Sequence, residues 1–483
     1  MRRKLRCVVV GAGMAGILAA IRLREAGFDD VTVYEKDARL GGTWRDNTYP
    51  GVACDVPSHL YSFSFSPNPG WSHDFSPGAE ICRYLETVAE RYDVARDVRF
   101  GTEVTAMAFE GGRWRIETSA GRDVADVVVA ATGVLHQPSI PDIEGLDTFS
   151  GPVFHSARWD HGVRLEGSRL GVVGTGSSAV QITAAVVDQV RELHLFQRTA
   201  QWVLTVPNEP IDDVERTRLA ADPAAMLALR ADLSTFFEES FANAVVDASS
   251  PAMAHLEEAC RTSLEEGVRD PVLRERLRPD YRAACKRLVV SPNFYDAMQR
   301  DNAHLVTERI ARIEPEGVRT VDGELHYLDV LVLATGFRVD RFLRPMQVVG
   351  EGGIALDEVW AERPSAYLAV SVPGFPNLFL LNGPNGPVGN FSLIEVAELQ
   401  MGYVLQLLEE LAAGRAAMVS ATRDAAERFE ASRVEAAQRT VWVTGCSSWY
   451  LDDRGIPAAW PWTFDRFRAE MASPRLEDFD LVP

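Results

Sequence analysis

Nowhere in this chain of 483 residues do two cysteines stand in a CxxC pair. The six cysteines (Cys7, Cys54, Cys82, Cys260, Cys285 and Cys446) are scattered, which excludes a vicinal dithiol as redox centre and fits a reducing, cytoplasmic setting. The nine histidines form no HxxxH or HExxH pattern, so no metal site is expected. Positive charge is scarce: 49 Lys and Arg face 69 Asp and Glu, a net charge of −20. Such a surface repels phosphate backbones and argues against a nucleic-acid partner. No apolar run approaches the ~18 residues needed to cross a bilayer, so no membrane partner is expected either. Arg2, Arg3, Lys4 and Arg6 do precede an apolar stretch. That stretch runs straight into a glycine loop without a cleavage-like site, and we read it as a buried strand instead of an export signal. The remaining composition, 46% hydrophobic and 24% charged, is that of a globular protein long enough for about three domains. Composition leaves the oligomeric state open.

What the chain does have is two glycine-rich loops of one kind. Leu5 to Val10 is apolar and ends in Gly11-Ala12-Gly13-Met14-Ala15-Gly16. Helical periodicity follows over 14–26, then an apolar strand from Val31 to Tyr34 that ends at Glu35. Each part has a task at a dinucleotide. Gly11 makes the tight turn, Gly13 lets the backbone approach a pyrophosphate, and Gly16 lets helix and strand pack closely. The helix N-terminus offers N–H donors to phosphates, and Glu35 can accept ribose hydroxyls, which suits a nucleotide without a 2′-phosphate. Gly41-Gly42-Thr43-Trp44 comes next, then Tyr49-Pro50-Gly51 and Asp55. A second glycine pair just past the ribose acid is the pattern of an FAD site.

The second loop, Gly174-Thr175-Gly176-Ser177-Ser178-Ala179, follows the apolar run Leu170 to Val173. The next strand, Leu193 to Phe196, ends in Gln197-Arg198-Thr199, so Arg198 stands where the first unit has Glu35. A guanidinium there can take a 2′-phosphate bidentately, and the second nucleotide is therefore expected to be NADPH. Two ATG turns, Ala131-Thr132-Gly133 and Ala334-Thr335-Gly336, close apolar strands and resemble the crossover points of two-dinucleotide flavoproteins. The fold class expected is α/β: two dinucleotide-binding (Rossmann-like) domains with a helical insertion in the second.

Between the two units lies Phe149-x-Gly151-x-x-x-His155-x-x-x-Trp159-Asp160. This run resembles the fingerprint of the type I Baeyer–Villiger monooxygenases, relatives of the flavin-containing monooxygenases. The stretch from Gly41 to Asp55 resembles that family's second signature. The resemblance implies insertion of one oxygen atom from O2 next to a ketone carbonyl, through a flavin C(4a)-peroxide, to give an ester or lactone. The competing reading is oxygenation of sulfur or nitrogen. It also implies that Arg287, in Lys286-Arg287 ahead of Phe294-Tyr295 and Arg300-Asp301-Asn302, is the catalytic arginine. Asp55 is then its carboxylate partner, Lys286 a further contact to the 2′-phosphate, and His155 a residue that orients the linker. Asn382-Gly383-Pro384-Asn385 resembles a flavin-contacting turn, with Asn385 the residue expected at the cofactor. Val388-Gly389-Asn390 lacks the histidine that relatives often have there.

The implied partners are a small ketone and O2, with FAD and NADPH as cofactors. Expected at the cofactors are Gly11, Gly13, Gly16, Glu35, Gly42, Thr43, Trp44, Asp55, Gly174, Gly176, Ser177, Ser178, Arg198, Thr199, Lys286 and Asn385. Residues 1–148 and 375–483 are assigned to the FAD domain, 149–206 and 286–374 to the NADP domain. Residues 207–285, rich in Ala, Leu, Glu and Arg with helical periodicity, form the insertion.

Overall fold

The computed structural model describes residues 3–482; Met1, Arg2 and Pro483 lie outside the described residues. Short apolar runs rich in Val and Leu, buried almost throughout at the central strands and partly exposed at most of the edges, form two five-stranded sheets. Buried runs of this kind belong in parallel sheets covered on both faces. The first sheet has the spatial order Leu378–Leu380, Val127–Ala130, Arg6–Val10, Asp30–Tyr34, Val98–Arg99, all parallel. The second runs Ala303–Val306, Glu192–Phe196, Arg169–Val173, Val330–Leu333, Val153–His155, again all parallel. In each sheet the central strand feeds the glycine loop, which opens a helix: Met14–Glu25 in the first and Ser177–Val186 in the second. The first sheet draws on both ends of the chain, and the second is built from the residues between.

Other parts of the architecture were not anticipated from the sequence. Val104–Glu110, Arg113–Thr118 and Gly121–Ala125 form an antiparallel meander that Gln347–Val349 joins. A three-stranded antiparallel sheet, Ile310–Glu314, Gly317–Thr320 and Leu325–Tyr327, interrupts the second unit. The fingerprint run is also more than a linker. Its Val153–His155 pairs with Val330–Leu333 as the edge strand of the second sheet. A Cβ on Gly151 would lie 2.2 Å from the Asp329 carbonyl oxygen, so that fingerprint position admits no side chain. His155 Nε2 lies 3.0 Å from the carbonyl of Gly336, in the second ATG turn, and its Nδ1 accepts from Ala157 N–H. Both ring nitrogens are therefore used to fasten the run to the sheet end.

Residues 213–276 hold the helices of the insertion, among them Pro223–Phe237 and Pro251–Gly267. Asp222 and Ser250 cap these two through their side chains, and a proline follows each cap, a combination suited to starting helices. Among the described residues no helix is long and apolar enough to cross a membrane.

Candidate active site

Both glycine loops open onto one cleft of about 1170 Å³, larger than the usual range for a single small ligand. On the first side the backbone is drawn tight. A Cβ on Gly16 would stand 1.8 Å from the carbonyl oxygen of Gly11, and one on Gly42 would reach Gly13 Cα at 3.0 Å. The two glycine pairs thus face each other, leaving backbone where side chains would block a ligand. Both loop helices begin without a side-chain cap and without an acid in the first turn. Their free N–H groups and dipoles therefore favour an anion.

Glu35 is 4% exposed. Its Oε2 accepts from Ala12 N–H at 2.8 Å, and its Oε1 from Asp37 N–H at 3.0 Å and Arg45 Nη1 at 3.1 Å. A carboxylate has about four acceptor sites, so capacity for a ribose hydroxyl remains. Thr43 and Trp44 begin the short helix Thr43–Asp46, and Trp44 Nε1 donates to Tyr61 Oη at 3.1 Å.

Across the cleft, Gly174, Gly176, Ser177, Ser178, Arg198, Thr199 and Lys286 all line the wall. Among the described residues no ion pair engages Arg198. Burial and then the charge of Arg198 hold the Lys286 ammonium below its ordinary value, which places two cations near one another. Lys286 also lies over the Tyr281 ring at 4.6 Å. Ser178 differs from a plain phosphate contact, because its hydroxyl donates to Tyr49 Oη at 3.1 Å, and Tyr49 donates to Gln181. This polar chain ties the second loop to the first unit.

Arg287 and Asp55 meet where the two halves of the cleft join. Arg287 Nη2 donates to Asp55 Oδ2 at 2.6 Å, and Nη1 donates to the Gly389 carbonyl at 2.8 Å. Both side chains are half-buried. Burial opposes the guanidinium charge, but the Asp55 carboxylate outweighs it, and the Arg287 pKa is raised. Tyr450 Oη also donates to the Gly389 carbonyl, at 3.1 Å, and burial pushes its hydroxyl up to about 12. A Cβ on Gly389 would lie 2.7 Å from Tyr450 Oη and 3.1 Å from Arg287 Nη1. Gly389 thus lets the chain approach the arginine closely, in the stretch where relatives often carry a histidine.

Not every expected residue reaches the cleft. Asn385 is buried away from it. Its Oδ1 accepts from Ala366 N–H and its Nδ2 donates to the Ala458 carbonyl, so its side chain braces two loops. Asn382, at the start of the same turn, lines the cleft instead, and its Oδ1 is buried without a hydrogen-bond partner. The turn was readable, but its left-handed residues, Asn382 (φ 52°) and Asn385 (φ 70°), decide which amide faces the ligand.

Two of the scattered cysteines also meet. Cys285, one residue before Lys286, is disulfide-bonded to Cys446, one residue before the cleft-lining Ser447. Spacing cannot reveal such a pair, since 161 residues separate its members. The bond anchors the segment carrying Ser447, Ser448 and Trp449 to the segment carrying Arg287. Labelling the unfolded, unreduced protein should detect four thiols, rising to six after reduction. Reduction should also lower stability by about 2–4 kcal/mol, the usual worth of a long-range cross-link. Six thiols before reduction would disprove the pairing.

Comparison with known proteins defines the class. Residues 8–221 match the family described as pyridine nucleotide-disulphide oxidoreductase. An uncharacterized monooxygenase of Mycobacterium tuberculosis is 46% identical over 477 residues, covering 98% of this chain and 95% of its own. A Baeyer–Villiger monooxygenase of Streptomyces coelicolor is 41% identical over 485 residues, covering 99% and 93%. The structure of OTEMO in complex with FAD and NADP superposes with a TM-score of 0.89 at 27% identity, over the full length of both chains. The chain belongs to the Baeyer–Villiger monooxygenases.

Proposed function

We propose that this protein uses FAD and NADPH to insert one oxygen atom from O2 beside the carbonyl of a small ketone, yielding an ester or lactone. It is a flavoprotein monooxygenase. The observation that carries the finer reading is the Arg287–Asp55 pair in the cleft that both nucleotide loops share.

In this reading the unit with Gly11, Gly13, Gly16, Glu35, Gly42, Thr43 and Trp44 holds FAD. Its domain comprises residues 1–148 and 375–483. The unit with Gly174, Gly176, Ser177, Arg198, Thr199 and Lys286 holds NADPH, on residues 149–206 and 286–374. When bound, the flavin activates dioxygen and NADPH supplies the hydride that reduces it. The protein's own contribution is positioning and charge. Arg287 presents a cation that does not titrate in the working pH range, and Asp55 and the Gly389 carbonyl fix its direction. A fixed charge in a partly dry cleft favours negative charge developing on oxygen far more than the same ion in water would. An oxygen kept anionic attacks a carbonyl carbon, whereas a protonated one is electrophilic and oxidises sulfur or nitrogen. Ser447, Ser448 and Trp449 line one side of the cleft.

The test is product analysis with one ketone and one thioether under NADPH and air. Ester or lactone from the ketone is expected. Sulfoxide from the thioether with no ester from any ketone would reject the proposal.

A further inference from the structure

The absence of any local histidine pattern argued against a metal, yet the second sheet assembles one from distant residues. His194 on strand Glu192–Phe196 and His304 on strand Ala303–Val306 are exact register partners in neighbouring parallel strands. Their rings lie 4.9 Å apart between centroids. Glu192 stands two residues before His194 on the same strand and so shares its face. Glu192 Oε2 is 3.5 Å from His194 Nε2, and one ligand atom from each of Glu192, His194 and His304 lies within 4.8 Å of the other two.

We propose that Glu192, His194 and His304 bind one borderline transition-metal ion such as Zn2+. Two donors on a tetrahedral zinc at ~2.0–2.2 Å stand about 3.3 Å apart. The Glu192–His194 pair already has that spacing, and a turn of the exposed His304 ring completes the set. His194 is 9% exposed, and neither of its ring nitrogens has a hydrogen bond. A buried imidazole without a hydrogen bond is destabilising, and coordination would remove that cost. The surroundings support the geometry. His326 packs edge-on against the His194 ring at 5.5 Å, with its own Nε2 beside Thr320 Oγ1 at 3.3 Å. It walls the site without competing for the ion. The other Glu192 oxygen faces Arg191 at 3.4 Å, near solvent, leaving Oε2 directed at His194. Two imidazoles and one carboxylate select Zn2+, Co2+, Ni2+ or Cu2+ over Mg2+ or Ca2+. Because Ala303–Val306 is the outer strand of its sheet, the ion would clamp that edge to the strand leading to Arg198.

The experiment uses the holoenzyme, free of any affinity tag and treated with a chelator, titrated with Zn2+ against a chromophoric chelator. One ion per chain is expected, with Mg2+ in large excess failing to displace it. His304→Ala and Glu192→Gln, both at accessible positions, should each weaken Zn2+ binding by about 10-fold or more, at least the loss typical of supporting partners of metal ligands. Zn2+ should raise the melting temperature of the wild type and leave that of His304→Ala unchanged. Co2+ in place of Zn2+ should give visible absorption bands that both variants lose. No stoichiometric binding by the wild type, or equal binding by wild type and both variants, overturns the proposal.

Discussion

Arg287→Ala is expected to purify yellow, with its flavin retained, and to lose ester formation by about 10²–10³-fold, the usual cost of deleting one preorganised stabiliser of developing negative charge. Flavin should survive because the residues proposed to hold it belong to the first sheet and its loops, whereas Arg287 enters from the second unit. NADPH oxidation should continue, uncoupled from product. Lysine is not expected to restore the activity. The guanidinium uses two separate nitrogens, one on Asp55 Oδ2 and one on the Gly389 carbonyl. A single ammonium cannot hold both anchors and still present charge to the cleft. The measurement is product yield per NADPH consumed, alongside the visible flavin spectrum. Substantial ester formation by Arg287→Ala would mean that another cation fills the role.

The second large effect concerns the choice of nicotinamide cofactor. Arg198→Ala should raise the KM for NADPH by about 10–100-fold, the equivalent of losing ~1.5–3 kcal/mol of charge-assisted hydrogen bonding. The KM for NADH should barely move, since NADH has no 2′-phosphate. Lys286→Ala should shift the preference in the same direction. The structure motivates this by bringing the two cations close enough for Arg198 to lower the Lys286 ammonium, a like-charge pairing that a bound phosphate would relieve. Equal effects on both cofactors would refute the assignment of Arg198 to the 2′-phosphate.

Much of the nucleotide apparatus was legible because its demands are local. A tight turn, a close backbone approach and an acid or arginine at the next strand end all fall within about 30 residues. The glycines and Glu35 could therefore be placed before any coordinates. Buried parallel strands read as apolar runs for the same reason. The meander over 104–125 was not anticipated although Arg113–Thr118 alternates buried and exposed residues; its last strand, Gly121–Ala125, is exposed on both faces and carries no such period. The choice between Asn382 and Asn385 escaped because it depends on backbone conformation within one turn.

By itself, the chain's order of residues determined the two loops, the acid and the arginine proposed to distinguish two nucleotides, and the run between them that marks the family. Only the tertiary structure decided which distant groups meet. The pairing of Arg287 with Asp55 was implied by the resemblance, but Arg287 reaching the Gly389 carbonyl, Cys285 reaching Cys446 and His194 lying beside His304 were not, each across more than 100 residues. Periodicity and turn chemistry act over a few residues. Contacts of that length are set by how two sheets and their insertion pack, which no local pattern encodes.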